Sequence, residues 1–300
     1  MLWLIAIIFS YFFFSLAALG DKVLLSGNSN PKSYTFLVGI FSVLAILVIP
    51  FIDFHIPQGM IWLWIILDAL FYVIGLYYFF EAVEKFDVSK IVPTVGALQP
   101  IFIFLISLLF WGNQGITEKE LIAFIILLIG SVLISVEKSF KITKKSLNAS
   151  VITAILFSLD IIFSKLVYME LPFWEGFVWI KIFCFIFVLA LLLNESFRKD
   201  IFHLKKEPNK KQSISIFLSA QICGGLANVL QSLATALVPL VYLAIMNAMR
   251  GLQYVFLFIM VIVISYFFPK MLKEGQSKKD ILQKIISIIL IGVGLMILVL

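Results

Sequence analysis

A chain of 300 residues that is 62% hydrophobic and 13% charged cannot present a soluble surface, which excludes a free globular protein. Its net charge of +6 comes from lysines gathered between apolar runs, the signature of membrane topology, so a nucleic-acid partner is not expected. Cys184 and Cys223 fall inside apolar runs and His55 and His203 lack ligand spacing, so neither a disulfide framework nor a metal site is expected.

A helix that crosses a bilayer takes about 20 mostly apolar residues, because its backbone polar groups must be bonded within the segment. Ten segments meet that length, at 2–25, 34–52, 61–80, 88–111, 121–136, 149–169, 172–193, 213–236, 239–268 and 281–300. The first lacks a basic leader and a small-residue cleavage site, so it reads as a retained span. The third sets Asp68, Tyr72, Gly75 and Phe79 at spacings of three and four, on one helix face. In the fourth, Pro93 and Pro100 remove backbone donors on either side of Gly96 and Gln99, so this helix is expected to bend or to expose carbonyls.

Asp160 in the sixth span, Lys181 in the seventh and Arg250 in the ninth fall near mid-helix. An ionised group there costs about 2.5–3.5 kcal/mol unless it meets a partner or a cavity. Two acids, Asp68 and Asp160, balance the two bases, so internal ion pairing explains them as well as transport does. The eighth span repeats Gln221, Gly224, Asn228, Gln231 and Thr235 every three or four residues. That stripe reads as the wall of a water-accessible path or as hydrogen-bonded glue between helices. The ninth is long enough to tilt or break, and it carries Asn247, Arg250, Gly251, Gln253 and Tyr254 as a second wall.

One design occurs twice along these spans. Leu98-Gln99 with Phe102 and Phe104 returns as Leu252-Gln253 with Phe256 and Phe258. Ser15-Leu16 with Lys22 returns as Ser158-Leu159 with Lys165, and Leu128-Ile129-Gly130 with Leu133 returns as Leu290-Ile291-Gly292 with Leu295. The division is a first repeat at 1–137, a basic linker at 138–148 and a second repeat at 149–300. Five spans per copy, an odd number, make the second copy enter from the opposite side, which gives an inverted repeat. Eighteen of the 23 basic residues lie in or beside the odd-numbered connections, so these are expected in the cytoplasm and both termini outside. The basic run from Arg198 to Lys211 is explained by that retention, with anionic lipid or an acidic partner as the other reading.

The stretch from Ala82 through Lys90, Pro93, Pro100 and Phe110-Trp111-Gly112 to 121–134 resembles the repeat of the EamA group in the drug/metabolite transporter superfamily. The resemblance runs through both halves and implies an all-α integral membrane carrier of ten helices in two five-helix repeats, with the fifth and tenth helices peripheral. Two motifs depart from that family: Gly112-Asn113 and Pro269-Lys270 stand where Gly-Glu is common, and the Trp-Gly of the first helix is absent. Family members are also usually drawn with both termini in the cytoplasm, against the lysine count here.

The expected function is therefore a secondary carrier, exporting a small polar metabolite such as an amino acid by alternating access around a midplane cavity, in a bacterial-type plasma membrane. Without a phosphate-binding loop, a dinucleotide fingerprint or a nucleophile elbow, neither an enzyme, a cofactor nor self-contained ATP drive is expected. The expected substrate path uses Arg250, Asn247, Gln253, Asn228, Gln231, Gln221, Gln99, Lys181 and Tyr72. Asp160 first and Asp68 second are candidates for a coupling proton, with a counter-substrate as the other driving partner. Lys22, Lys165, Pro93 and Pro100 are gate candidates, although a lysine near a helix end also reaches lipid headgroups. A flippase for a lipid-linked headgroup and a membrane scaffold or sensor are the rival readings.

Overall fold

The computed structural model describes residues 2–25, 31–86, 88–112, 115–135, 143–195, 198, 210–267 and 278–299. The basic stretches at 136–142 and 199–209, and with them the first part of the expected inter-repeat linker and most of the lysine run, lie outside the described residues. Among the described residues all regular structure is helical: α1 Leu2–Leu25, α2 Pro31–Phe41, α3 Ile61–Lys85, α4 Val88–Trp111, α5 Glu118–Ser135, α6 Lys144–Glu170, α7 Phe173–Leu191, α8 Lys210–Leu237, α9 Leu243–Ala248, α10 Gly251–Phe267 and α11 Lys278–Val299.

Seven helical stretches among the described residues are long and apolar enough to cross a membrane, and they answer seven of the ten expected segments. The second expected span is instead composite: α2 gives way to a 3-10 segment, Ser42–Phe51, with Pro50 near its end. The fifth, α5, is 18 residues long and opens on Glu118, Lys119 and Glu120. The eighth, α8, is 28 residues long, but its polar stripe dilutes its apolar character.

Local sequence chemistry sets several boundaries. Thr143 and Ser146 form a reciprocal capping box at the start of α6, and Thr117 and Glu120 do the same for α5, the Thr117 amide donating to Glu120 Oε2 at 2.8 Å and the Glu120 amide to Thr117 Oγ1 at 3.3 Å. Gly112, at φ +67°, ends α4 in the left-handed conformation that glycine takes without a Cβ penalty, and its amide reaches Leu108 O at 2.9 Å.

Packing crosses between the halves. α1 lies on α8 and α3 on α6; α1 also touches α10, and α4 touches α6; α5 lies on α11, and α2 with its 3-10 extension lies on α7. Small residues let these backbones approach: a Cβ on Gly39 would overlap Val188, one on Gly130 would crowd Ile291, and one on Gly294 would crowd Leu127. The largest core cluster joins Tyr11, Ile103, Leu127, Ile162, Met246 and Ile291, side chains from both halves.

Candidate functional site

The expected polar residues divide between two neighbourhoods. The first lies among α3, α6 and α7, where the i, i+4 spacing of Asp68 and Tyr72 and the i, i+4, i+8 spacing of Asp160, Ser164 and Tyr168 turn two polar faces toward each other. Ser164 Oγ donates to Asp68 Oδ2 at 2.8 Å, and the Asp160 carboxyl lies against that of Asp68. Asp68 is 1% exposed and its Oδ1 has no hydrogen-bond partner. Lys181 Nζ sits 4.9 Å from the Tyr72 ring centre and 5.3 Å from that of Phe177, a cation held on aromatic faces. Cys184, one turn on from Lys181, is fully buried beside it. The Tyr168 hydroxyl bonds Ser232 of α8, which closes this neighbourhood on the fourth side.

The second neighbourhood forms where the ninth expected span breaks. The α9 ladder ends in a turn at Met249 and Arg250, with bonds tightened to i−3: Arg250 N to Asn247 O at 3.2 Å, Leu252 N to Met249 O at 2.9 Å and Gln253 N to Arg250 O at 3.0 Å. The groups freed by the break are taken by side chains from other helices. Tyr11 of α1 donates to Met246 O at 3.1 Å, and Ser131 of α5 donates to Ala248 O at 2.6 Å while accepting from Gly251 N at 2.9 Å. A Cβ on Gly251 would overlap Ser131, so glycine is what permits this staple.

At that break Arg250 Nη1 donates to Gln99 Oε1 at 2.7 Å. Gln99 is 3% exposed, its Nε2 lies 3.4 Å from Phe157 O, and its backbone carbonyl accepts from Ser158 Oγ at 3.0 Å. Asn247 is buried, spends its Nδ2 on Leu243 O at 2.9 Å and leaves Oδ1 without a partner. Among the described residues no acid lies within ion-pair distance of Arg250 or Lys181, and Lys181 meets Asp68 and Asp160 only at longer range. The half-buried guanidinium of Arg250, without an acid beside it, leaves a fixed positive charge that an anion can meet.

The remaining expected residues are placed as follows. Gln221, Asn228, Gln231 and Gln253 are half-buried, and Thr235, fully buried, returns its hydroxyl to Gln231 O at 3.0 Å. Part of the α8 stripe is sealed against α1, since Gly224 faces Ala17 and Ala227 O accepts from Ser10 Oγ at 2.8 Å. Pro93 and Pro100 are buried in α4, which runs unbroken through both, so the discontinuity expected there lies in the partner repeat instead. Lys165 is buried and donates to Ala236 O at 2.9 Å and Val238 O at 2.7 Å, capping the last carbonyls of α8 rather than reaching for headgroups. The side chain of Lys22 lies outside the described residues.

Sequence reading missed a contact at one end of the bundle. Tyr242, before α9, donates to Glu120 Oε1 at 2.6 Å and stacks on Trp3 with ring centres 6.0 Å apart, joining the starts of α1, α5 and α9. Glu120 precedes the apolar part of α5. Burial works against its charge, but the Tyr242 hydroxyl and the Thr117 amide and hydroxyl, with Lys119 nearby, together hold its carboxyl below the ordinary value. A small cavity lined by Phe104, Ser107, Leu240, Val241 and Ala244 lies beside this contact.

Residues 1–136 match the model of the EamA-like transporter family, and no curated protein matches the chain. Among solved structures, one described only as the crystal structure of a protein superposes with a TM-score of 0.70 at 16% identity, over 98% of this chain and 94% of that one. That likeness shows the fold alone.

Proposed function

We propose that this chain, whose residues 1–136 belong to the EamA-like transporter family of the drug/metabolite transporter superfamily, is a ten-span inverted-repeat secondary carrier. The multi-pass helical membrane fold and the family, whose members are transporters and not enzymes, are its premises. Three features support the finer layout. The α2 helix rises about 1.5 Å per residue and its 3-10 extension about 2.0 Å, so together they reach about 36 Å, enough for a hydrocarbon core of about 30 Å. The cross-packing of α1 with α8 mirrors that of α3 with α6, as an inverted repeat at 1–137 and 149–300 requires. The break at Arg250 belongs to the kind of discontinuous helix that carriers use where irregular backbone lines a path.

The observation that carries the reading is Arg250: a fixed cation in a helix break, with no acid within ion-pair distance among the described residues and a neutral amide as its hydrogen-bond partner. It favours a small polar substrate with a carboxylate or phosphate, an amino acid or a phosphorylated metabolite, exported across a bacterial-type plasma membrane. The Asp68–Asp160 pair, with Lys181 close by, holds one acid in excess of its base and is the coupling site: a proton gained or lost there changes the charge of the neighbourhood. Uptake of labelled amino acids and sugar phosphates into proteoliposomes, with and without a pH gradient, tests this reading. Accumulation of an anion-bearing solute is the expected result; lipid scrambling without solute uptake would replace the carrier with a flippase, and neither activity would leave a scaffold.

A further inference from the structure

Arg250 and Arg198 are the two arginines of the chain. The Arg250 fork presents five N–H donors and a charge that does not titrate. Gln99 Oε1 meets it at 2.7 Å, the distance of a carboxylate oxygen, but brings no charge. Gln99 is itself held by α6, through Phe157 O and Ser158 Oγ. Gly96, one turn earlier on α4, lies beside the fork: a Cβ there would stand 3.4 Å from Arg250 Cδ and 3.4 Å from the Tyr254 hydroxyl, in ordinary van der Waals contact. The register that pairs Gln99 with Gln253 also pairs Gly96 with Arg250, so both copies carry the amide while the second alone carries the cation.

We propose that the side-chain carbonyl of Gln99 is an internal stand-in for the anionic group of the substrate: it occupies the Arg250 fork in the empty carrier and is displaced when an anion binds. This rests on the reading of Arg250 as the anion contact and adds how that site is regulated. A carboxylate or phosphate displaces the amide because it adds the attraction of opposite charges and can engage two donors of the fork at once, which the single amide oxygen cannot. A neutral carbonyl compound gains nothing by the exchange, so Gln99 sets both the affinity and the exclusion of uncharged solutes.

The test uses the full chain in detergent with Arg198→Lys, so that butanedione, read by mass spectrometry, reports on Arg250 alone. Inorganic phosphate and acetate are the probes, and protection against modification gives their affinity. Gln99→Met keeps the length of the side chain and removes the carbonyl; it should react faster and bind phosphate about tenfold more tightly, a single competing hydrogen bond having been lost. Gln99→Leu is the second variant with the same expectation. Gln99→Glu places a fixed carboxylate on the fork and should react more slowly and lose phosphate protection. A merely structural role for Gln99 would weaken protection in every variant alike. Protection in the parent with same-direction changes in the Met or Leu and Glu variants overturns the stand-in alone; a parent that neither phosphate nor acetate protects overturns the anion reading of Arg250 together with it.

Discussion

At the scale of single residues, the cost of ionised groups in hydrocarbon made Asp68, Asp160, Lys181 and Arg250 legible in the sequence, because no surface helix of a bilayer protein keeps such groups without reason. Their partition was not legible. Helical spacing says which side chains share a face, but not which face of another helix they meet, so Arg250 reads equally well beside Asp160 or, as found, beside Gln99. Ser164 and Tyr168 were within reach, since they follow Asp160 at steps of four. Loss of a charge-assisted contact costs about 1.5–3 kcal/mol, so Arg250→Gln should weaken substrate binding roughly ten- to hundredfold, and Arg250→Lys should restore only part of it because the fork is lost. Equilibrium binding measured beside a thermal-unfolding check separates this from misfolding, and a well-folded Gln variant with parental affinity removes Arg250 from the site. If the Asp68–Asp160 pair carries the coupling proton, Asp160→Asn should abolish accumulation driven by a pH gradient while sparing exchange of substrate for substrate. An unchanged pH dependence of transport in that variant would give the pair a structural role.

At the scale of elements, span length announced that the ninth segment could break, while two prolines pointed to the fourth. The structure keeps α4 whole and breaks the ninth at Met249–Arg250, where no proline stands. Proline weakens a helix only through the bond it cannot make and the clash it causes, and neighbouring helices absorb both; a break forms where other side chains take the freed groups, and that depends on packing. Ser131 is the test. Ser131→Ala removes both its bond to Ala248 O and its acceptance from Gly251 N, and buried bonds between membrane helices average about 0.6–2 kcal/mol each. A lower unfolding midpoint in detergent, equivalent to about 1–3 kcal/mol, is expected; a parental midpoint would mean that the break is stable without its staple. The Tyr242–Glu120 contact makes a different demand. Because the folded Glu120 carboxyl titrates below its ordinary value, its contribution is complete above the unfolded pKa of about 4.3 and is lost as pH falls through the lower folded value. The unfolding midpoint of the parent should therefore drop more between pH 5 and 3 than that of Glu120→Gln, and parallel curves for the two proteins would show that the latch carries no acid-sensitive stability.

For the whole molecule, hydropathy located the segments of α1 to α11, and the first and fourth spans begin and end where the apolar runs do. What hydropathy did not carry was the state of the second span, since an apolar run has the same composition as α-helix or as 3-10 turns, nor the reach of α3 to Lys85 past the last aromatic residues. The contact that joins Trp3, Glu120 and Tyr242 fixes the starts of α1, α5 and α9 at one end, so α5 finishes at Ser135 on the opposite end, where the linker to α6 begins. The lysines of that linker and of residues 195–212 therefore decide the orientation of the whole bundle. Translocating so many cations opposes the positive-inside bias, so both stretches are expected in the cytoplasm and Trp3 outside. With Cys184 and Cys223 replaced by Ala, a single cysteine placed in either stretch should resist a membrane-impermeant thiol reagent on intact cells and react once the cells are permeabilised. A cysteine beside Gly115 should react on intact cells without permeabilisation. Labelling of both lysine-rich stretches from outside would invert the molecule, and would put the Glu120–Tyr242 contact on the cytoplasmic side.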